Sequence, residues 1–172
     1  MAEAFLRRRL AERGVDAHIH SAGLRIEGEP ASAHGVSVLA DRGLDISAHR
    51  SRVVERILIE RADLVIAMAR EHLIEAVVVA PDAWSRIFIF KELVGRAEAM
   101  GPRPARQPFS AWLARVNAGR QRADLMTLSG DDDIDDPIGL GRKDYERTAD
   151  EISDLVDRLV NLGWPDAAEA SA

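Results

Sequence analysis

The amino-acid sequence predicts an α/β fold with a small parallel, doubly wound sheet and helices on both faces. Three features of the 172 residues support this class: helical and strand patterns alternate, residues 15–21 alternate apolar and polar side chains, and residues 63–68 and 86–90 are nearly continuous apolar runs. Continuous apolar runs are typical of strands covered on both faces. One domain over residues 1–164 accounts for the length, and we expect the small, polar tail 165–172 to be disordered.

The first part of the chain contains two helix patterns with a strand pattern between them. Good helix formers fill residues 1–13, and a glycine at position 14 ends the pattern. The predicted strand 15–21 follows. The second helix is predicted to open at Glu29-Pro30, with proline near its first turn, and to end at Gly43.

The rest of the chain alternates helices with the two apolar strands. Residues 101–108 contain three prolines, which remove backbone donors, so this stretch is predicted to be a loop. Further helices are predicted at residues 53–61, 70–79, 91–100, 109–119 and 143–162.

Composition excludes several classes of protein. A formal net charge of −6 argues against a broad nucleic-acid-binding surface, and the sequence has neither a membrane-length apolar run nor a signal-peptide pattern, so we expect a cytoplasmic protein. The chain contains no cysteine, which excludes disulfides and a cysteine nucleophile within these residues. His18 and His20 share a face of the predicted strand, but no third ligand lies near them in sequence, and we expect no metal site.

Five aspartates lie within residues 131–136, directly before Pro137. A solvated acidic loop is one interpretation of this run. A cation site is a second, although the run lacks the glycine turn and distal glutamate of a calcium loop. The third is a general acid at the Asp136-Pro137 step, where the proline ring restrains the backbone of the proton donor. The residues alone leave these interpretations open.

Several ordered motifs together resemble one known family, the low-molecular-weight protein tyrosine phosphatases with their arsenate reductase relatives. The resemblance covers nearly the whole chain. It rests on residues 1–6 (MAEAFL), 21–23 (SAG), 28–31 (GEPA), 39–51 (LADRGLDISAHRS), 62–68 (ADLVIAM) and 136–137 (DP).

The resemblance implies a mechanism. In that family a cysteine thiolate in a C-x5-R-S-P loop attacks phosphorus and forms a phosphocysteine, while the loop arginine holds the equatorial oxygens. Asp136 would protonate the leaving oxygen and later activate water, and Pro137 would restrain it. Ser21 would support the phosphate loop, although a serine satisfied by local backbone is an equal alternative. The implied substrate is a phosphorylated protein or a small phosphomonoester, and no cofactor is expected.

The sequence departs from the family at its start and near the site. Residues 1–6 resemble the stretch directly after the C-x5-R loop, so the first strand and the loop are missing, and we predict that the chain as given is inactive. Ile138 stands where an aromatic residue usually follows Asp-Pro, and Ile26 offers no ring before Gly28. Ala69 stands where aspartate is common.

Two explanations of the missing loop stay open. Translation could have been assigned to Met1 roughly a dozen or more residues too late, and the full-length protein would then be a protein-tyrosine-phosphatase, a hydrolase with a cysteine nucleophile. Alternatively, the protein is phosphatase-like, has lost its catalytic loop and acts only through binding. Arsenate reduction is less favoured than either, because the thiol-coupled members need further cysteines downstream of the loop.

Overall fold

The computed structural model describes residues 1–126 and 130–165. Within them, helices and a two-stranded parallel sheet confirm the predicted α/β class with a small parallel sheet. The helices are α1 (Ala2–Glu12), α2 (Ala33–Ala40), α3 (Arg56–Arg61), α4 (Arg70–Val79), α5 (Phe90–Met100), α6 (Phe109–Asn117) and α7 (Arg142–Gly163), and the strands are β1 (Val65–Ala67) and β2 (Ile87–Ile89).

The chain divides into two compact units. The first contains residues 1–53 and 135–160, and the second contains residues 54–134 with the described residues after 160. Both strands of the sheet belong to the second unit. They pair in parallel, with Val65 opposite Ile87 and Ala67 opposite Ile89, and both α4 and α5 contact each strand.

The second unit is built around β2. All three side chains of this strand are buried, and so is Phe90, which begins α5 directly after it. Isoleucine and phenylalanine suit this position because a parallel strand that is buried on both faces presents both of them to apolar neighbours. Leu73 and Val77 of α4 pack in the same cluster as Ile87 and Ile89, which fixes the helix over the sheet.

The first unit combines buried helix faces with ion pairs at their margins. Phe5 of α1 and Val156 of α7 are almost fully buried. Arg9 Nε lies 2.6 Å from a carboxylate oxygen of Asp157, and Arg142 pairs with Asp41. These are partly exposed pairs, which contribute little individually, so apolar burial provides most of the stability.

Helix α2 begins later than the sequence pattern predicts. Its N-cap is Ser32, whose hydroxyl accepts a hydrogen bond of 3.2 Å from the amide of Gly35, and the helix begins at Ala33 rather than near Pro30. Serine satisfies one of the otherwise unpaired amides of a first turn. The cap therefore outweighs the proline as the start signal.

The predicted strand at residues 15–21 is wrong. Within the described chain, no backbone hydrogen bond joins residues 16–22 to a neighbouring strand, and the carbonyl of Ile19 accepts from the side chain of Arg7 instead. Only Gly23, just beyond, forms an isolated parallel bridge with Val53. A period of two selects faces of an extended segment, but a strand also requires a partner for its amides and carbonyls.

No helix within residues 1–126 or 130–165 is long and apolar enough to cross a membrane. The tail predicted to be disordered lies, apart from Pro165, outside the described residues.

Candidate active site

Residues 133–137 are here called the acid loop, and its first two residues, Asp133 and Ile134, are held at the carboxyl ends of both strands. The amide of Ile134 donates to the carbonyl of Met68, directly after β1, at 2.8 Å. Lys91, two residues after β2, donates from Nζ to the carbonyl of Asp133 at 2.7 Å. Ligands of open parallel sheets bind outside the carboxyl ends of the strands. The acid loop therefore begins where this fold class places its chemistry.

Asp136 occupies a turn that presents its carboxyl group to solvent. Its Oδ1 accepts a hydrogen bond of 3.0 Å from the amide of Ile138, and the carbonyl of Pro137 accepts from the amide of Leu140 at 2.9 Å. The side chain of Pro137 is buried while that of Asp136 is exposed. The buried ring thus anchors the backbone that carries this exposed carboxyl group.

The other aspartates of the acidic run have different surroundings. Asp135 is exposed, lies 3.8 Å from Arg147, and accepts at its carbonyl from the hydroxyl of Thr148. Asp133 instead accepts at Oδ1 from the backbone amide of Arg70 at 2.6 Å. Within the described residues, no three His, Cys, Asp or Glu side chains are arranged to hold a metal ion. The run is a set of individually placed carboxylates.

Ser21 is bound to the first turn of α1. Its hydroxyl donates to Oε2 of Glu3, and Arg7 donates to the other carboxylate oxygen at 2.5 Å. Burial alone would raise the pKa of Glu3, but the hydrogen bonds from Ser21 and Arg7 and the positive charges of Arg7 and His49 hold that pKa below its ordinary value. Ser21 is therefore held by an ionised carboxylate rather than by local backbone.

A small polar cleft of about 190 Å³ lies beside Ser21 in the first unit. Hydroxyl, imidazole and guanidinium groups line it, contributed by Ser21, His49, Ser51 and Arg52, with Gly23 and Ala22 completing the wall. Such a lining can bind an anion or hydrogen-bond to the backbone of a polar loop. The sequence motifs around residues 21–23 and 39–51 meet at this cleft.

A larger cleft of about 400 Å³ lies elsewhere in the second unit. Its walls include Asp63, just before β1, and Arg86, just before β2. The cleft therefore lies at the amino ends of the strands, whereas ligands of parallel sheets bind at the carboxyl ends. We do not assign it to the chemistry of the acid loop.

The family model of the low molecular weight phosphotyrosine protein phosphatases matches residues 1–105. The chain belongs to this family, as the motifs predict.

Relatives in sequence and in structure agree with this placement. A probable low molecular weight protein-tyrosine-phosphatase, EpsP of Ralstonia solanacearum, is 42% identical over 69 residues, which are 40% of this chain and 45% of the relative. Etp of Escherichia coli K12, a low molecular weight protein-tyrosine-phosphatase, is 28% identical over 103 residues, 59% of this chain and 67% of Etp. The chain thus matches less than half the length of EpsP.

Solved structures match over most of the chain. The low molecular weight protein tyrosine phosphatase from T. tengcongensis superposes with a TM-score of 0.69 at 31% identity, over 93% of this chain and 87% of that one. The YwlE arginine phosphatase from Geobacillus stearothermophilus gives a TM-score of 0.65 at 27% identity, over 93% of this chain and 80% of that one.

The sequence predicts Asp136, Pro137 and Ser21 as candidate site residues, but it gives no indication of the groups that contact Ser21 and the start of the acid loop. Neither Glu3 nor Lys91 was singled out, since each acts through a contact with a residue distant in the chain. The one available signal was Ala69, which cannot cap the helix that follows it.

Proposed function

We propose that this protein serves phosphomonoester hydrolysis as a low-molecular-weight protein tyrosine phosphatase, with Asp136 as general acid. The observation that carries the proposal is the acid loop: an exposed carboxyl group before a buried proline, on a segment hydrogen-bonded to the residues after β1 and β2. Catalysis on this pattern requires the C-x5-R loop of the family, and the 172 residues contain no cysteine.

The chemistry proceeds in two displacements. A loop thiolate attacks phosphorus, the bond between phosphorus and the leaving oxygen breaks, and Asp136 gives its proton to that oxygen. The carboxylate so formed then takes a proton from water, whose oxygen attacks the phosphocysteine and releases phosphate and the thiolate. Ser21, oriented by Glu3, supplies a hydroxyl beside the cleft in which the loop would be supported.

The proposed substrate is a phosphorylated protein or a small phosphomonoester. EpsP and Etp are named as protein-tyrosine-phosphatases, and YwlE as an arginine phosphatase. Ile138 and Ile26 expose 69% and 57% of their surface, and aliphatic side chains give a phenyl ring apolar contact without ring stacking. We therefore expect discrimination to rest on the phosphoryl group more than on an aromatic ring.

The test uses the chain joined at its amino terminus to a family member's first strand and C-x5-R-S-P loop. We expect Asp136→Asn to reduce turnover of phenyl phosphate by about 10²- to 10⁴-fold, and that of p-nitrophenyl phosphate much less, because a good leaving group needs little protonation. The matched control, Asp132→Asn, should be nearly silent for both substrates. Equal behaviour of the two variants would mean that the acidic run is only a solvated loop.

A binding-only function is the second candidate, and the absence of cysteine from the 172 residues favours it. It predicts that the joined polypeptide folds but shows no turnover with any aryl phosphate.

A further inference from the structure

We propose that Asp133 is a positioning residue. It fixes the acid loop by capping helix α4, which its own N-cap residue, Ala69, leaves without a side-chain cap. The inference rests on the proposed function of Asp136 as general acid. It concerns a different aspartate of the same run, one that touches no substrate and acts only through the backbone that leads to Asp136.

Helix α4 lacks a cap of its own. Its N-cap residue is Ala69, whose methyl side chain cannot accept a hydrogen bond from the first turn. The amide of Arg70 donates instead to Oδ1 of Asp133, which lies 63 positions further along the chain, at 2.6 Å. A carboxylate is favoured there because the first amides and the helix dipole of this ten-residue helix present partial positive charge. The cap absent at Ala69 is thus supplied by the acid loop.

Two more bonds hold the same pair of residues. Lys91, half-buried at the start of α5, donates to the carbonyl of Asp133 at 2.7 Å, and Ile134 donates its amide to the carbonyl of Met68 at 2.8 Å. The side chain of Ile134 is 5% exposed. Asp133 is therefore held to α4 by its carboxylate and to α5 by its carbonyl. Ile134 is held to the end of β1 by its amide, and its side chain is buried.

This anchor lies close to the catalytic carboxyl group along the chain. Asp136 follows Asp133 by three residues, a span of at most about 11 Å even when fully extended. A misplacement of about 1 Å in a reacting group can cost about 10²-fold in rate. Asp132 and Asp135 cap no helix in the described chain, so the positioning effect is specific to Asp133.

The first experiment uses the 172-residue chain itself and needs no activity. Hydrogen exchange of the Arg70 and Ile134 amides is measured by NMR in Asp133→Ala, Asp133→Asn and Asp132→Ala. We expect Asp133→Ala to raise both exchange rates at least 10-fold, whereas Asp133→Asn, which keeps an acceptor oxygen, and Asp132→Ala leave them within about 3-fold. If both amides exchange as slowly in Asp133→Ala as they do in the parent chain, the proposal is overturned.

The second experiment uses the joined polypeptide with phenyl and p-nitrophenyl phosphate. Asp133→Ala, and Lys91→Met as the milder variant, should lower kcat for phenyl phosphate by about 10- to 100-fold with KM little changed, and lower kcat for p-nitrophenyl phosphate much less. Asp133→Asn should restore most of the loss. If Asp133 had a purely structural role, its loss would lower kcat for both substrates by the same factor. That result would contradict the positioning role.

The two ways of failing are distinguishable. If the unsubstituted joined polypeptide shows no turnover, the proposed function fails and the role of Asp133 in catalysis fails with it. If it turns over substrate and Asp136→Asn impairs it, but Asp133→Ala behaves like Asp132→Ala, the positioning role alone is overturned.

Discussion

The contact between Ser21 and Glu3 links the first turn of α1 to the small polar cleft through one hydroxyl group. Glu3 has only 18% of its side chain exposed, so its charge depends on the groups that hydrogen-bond to it. Ser21 contributes most when Glu3 is ionised, because a hydrogen bond to a charged acceptor is stronger than one to a neutral carboxyl group.

We expect Ser21→Ala to lower the free energy of unfolding by about 1–2 kcal/mol at pH 7. The folded-state pKa of Glu3 lies below its ordinary value, so its contribution to stability is complete above that ordinary value and is lost as pH falls through the folded-state pKa. The difference between the variant and the parent chain should therefore shrink in acid.

Urea denaturation at pH 7 and pH 3 measures this difference. Ser110→Ala, at an exposed position of α6, is the control and should change stability by no more than about 0.5 kcal/mol. A loss in Ser21→Ala that is the same at both pH values would show that the hydroxyl does not stabilise the ionised carboxylate.

The sequence makes Asp136 a candidate general acid, whereas the contacts that hold the start of the acid loop appear only in the structure. The Asp-Pro step is a local signal, because the ring restrains the residue directly before it. Asp133 looks like any other member of the acidic run, and only the fold brings it to the amide of Arg70. Lys91 similarly shows its role only through its contact with a residue 42 positions away.

Arg120 joins several elements of the second unit after α6 has ended. Its guanidinium lies 4.1 Å from the ring centroids of both Trp84 and Phe88, and its Nε donates to Glu92 of α5 at 2.7 Å. It also donates to the carbonyl of Ile87 in β2 at 2.9 Å. Only 3% of the side chain is exposed, so these bonds replace almost all of its hydration.

Arg120→Lys should destabilise the protein by about 2–3 kcal/mol, because it disrupts a buried, hydrogen-bonded ion pair. Lysine keeps the charge, but it cannot fill the planar space between two rings while bonding to Glu92 and a carbonyl together. Chemical denaturation of the variant measures the loss. Arg115→Lys, at an exposed position of α6, should stay within about 0.5 kcal/mol, and a similar small effect at Arg120 would show that the rings and Glu92 do not require a guanidinium.

Elements with strong local signals were predicted closely, and those that depend on partners were not. Helix α4 has the predicted bounds, and α7 differs by one residue at each end, because their apolar spacing and stop signals are local. β1 and β2 fall within the predicted apolar runs. Residues 15–21 have the alternating pattern of a strand, but in the described chain they form no backbone hydrogen bonds with a partner strand. Strand pairing depends on a second segment, which the local pattern does not reveal.

Most of the chain has the fold of its family, although its sequence matches less than half the length of EpsP. The T. tengcongensis phosphatase aligns with 93% of the chain, including stretches beyond the 105 residues that the family model matches. The acid loop lies in that later part. The fold is thus specified along the chain, while the thiolate chemistry requires a residue type that the chain lacks.

The central claim is that these residues supply a general acid to thiolate-dependent phosphomonoester hydrolysis. The most direct measurement compares turnover of p-nitrophenyl phosphate by the purified 172-residue chain with turnover by the chain joined to the strand and C-x5-R-S-P loop. We expect none above buffer from the first, since it contains no cysteine, and from the second a steady turnover with a phosphocysteine that can be trapped by acid quenching. Turnover by the 172-residue chain that survives rigorous purification and disappears in Asp136→Ala would contradict the account.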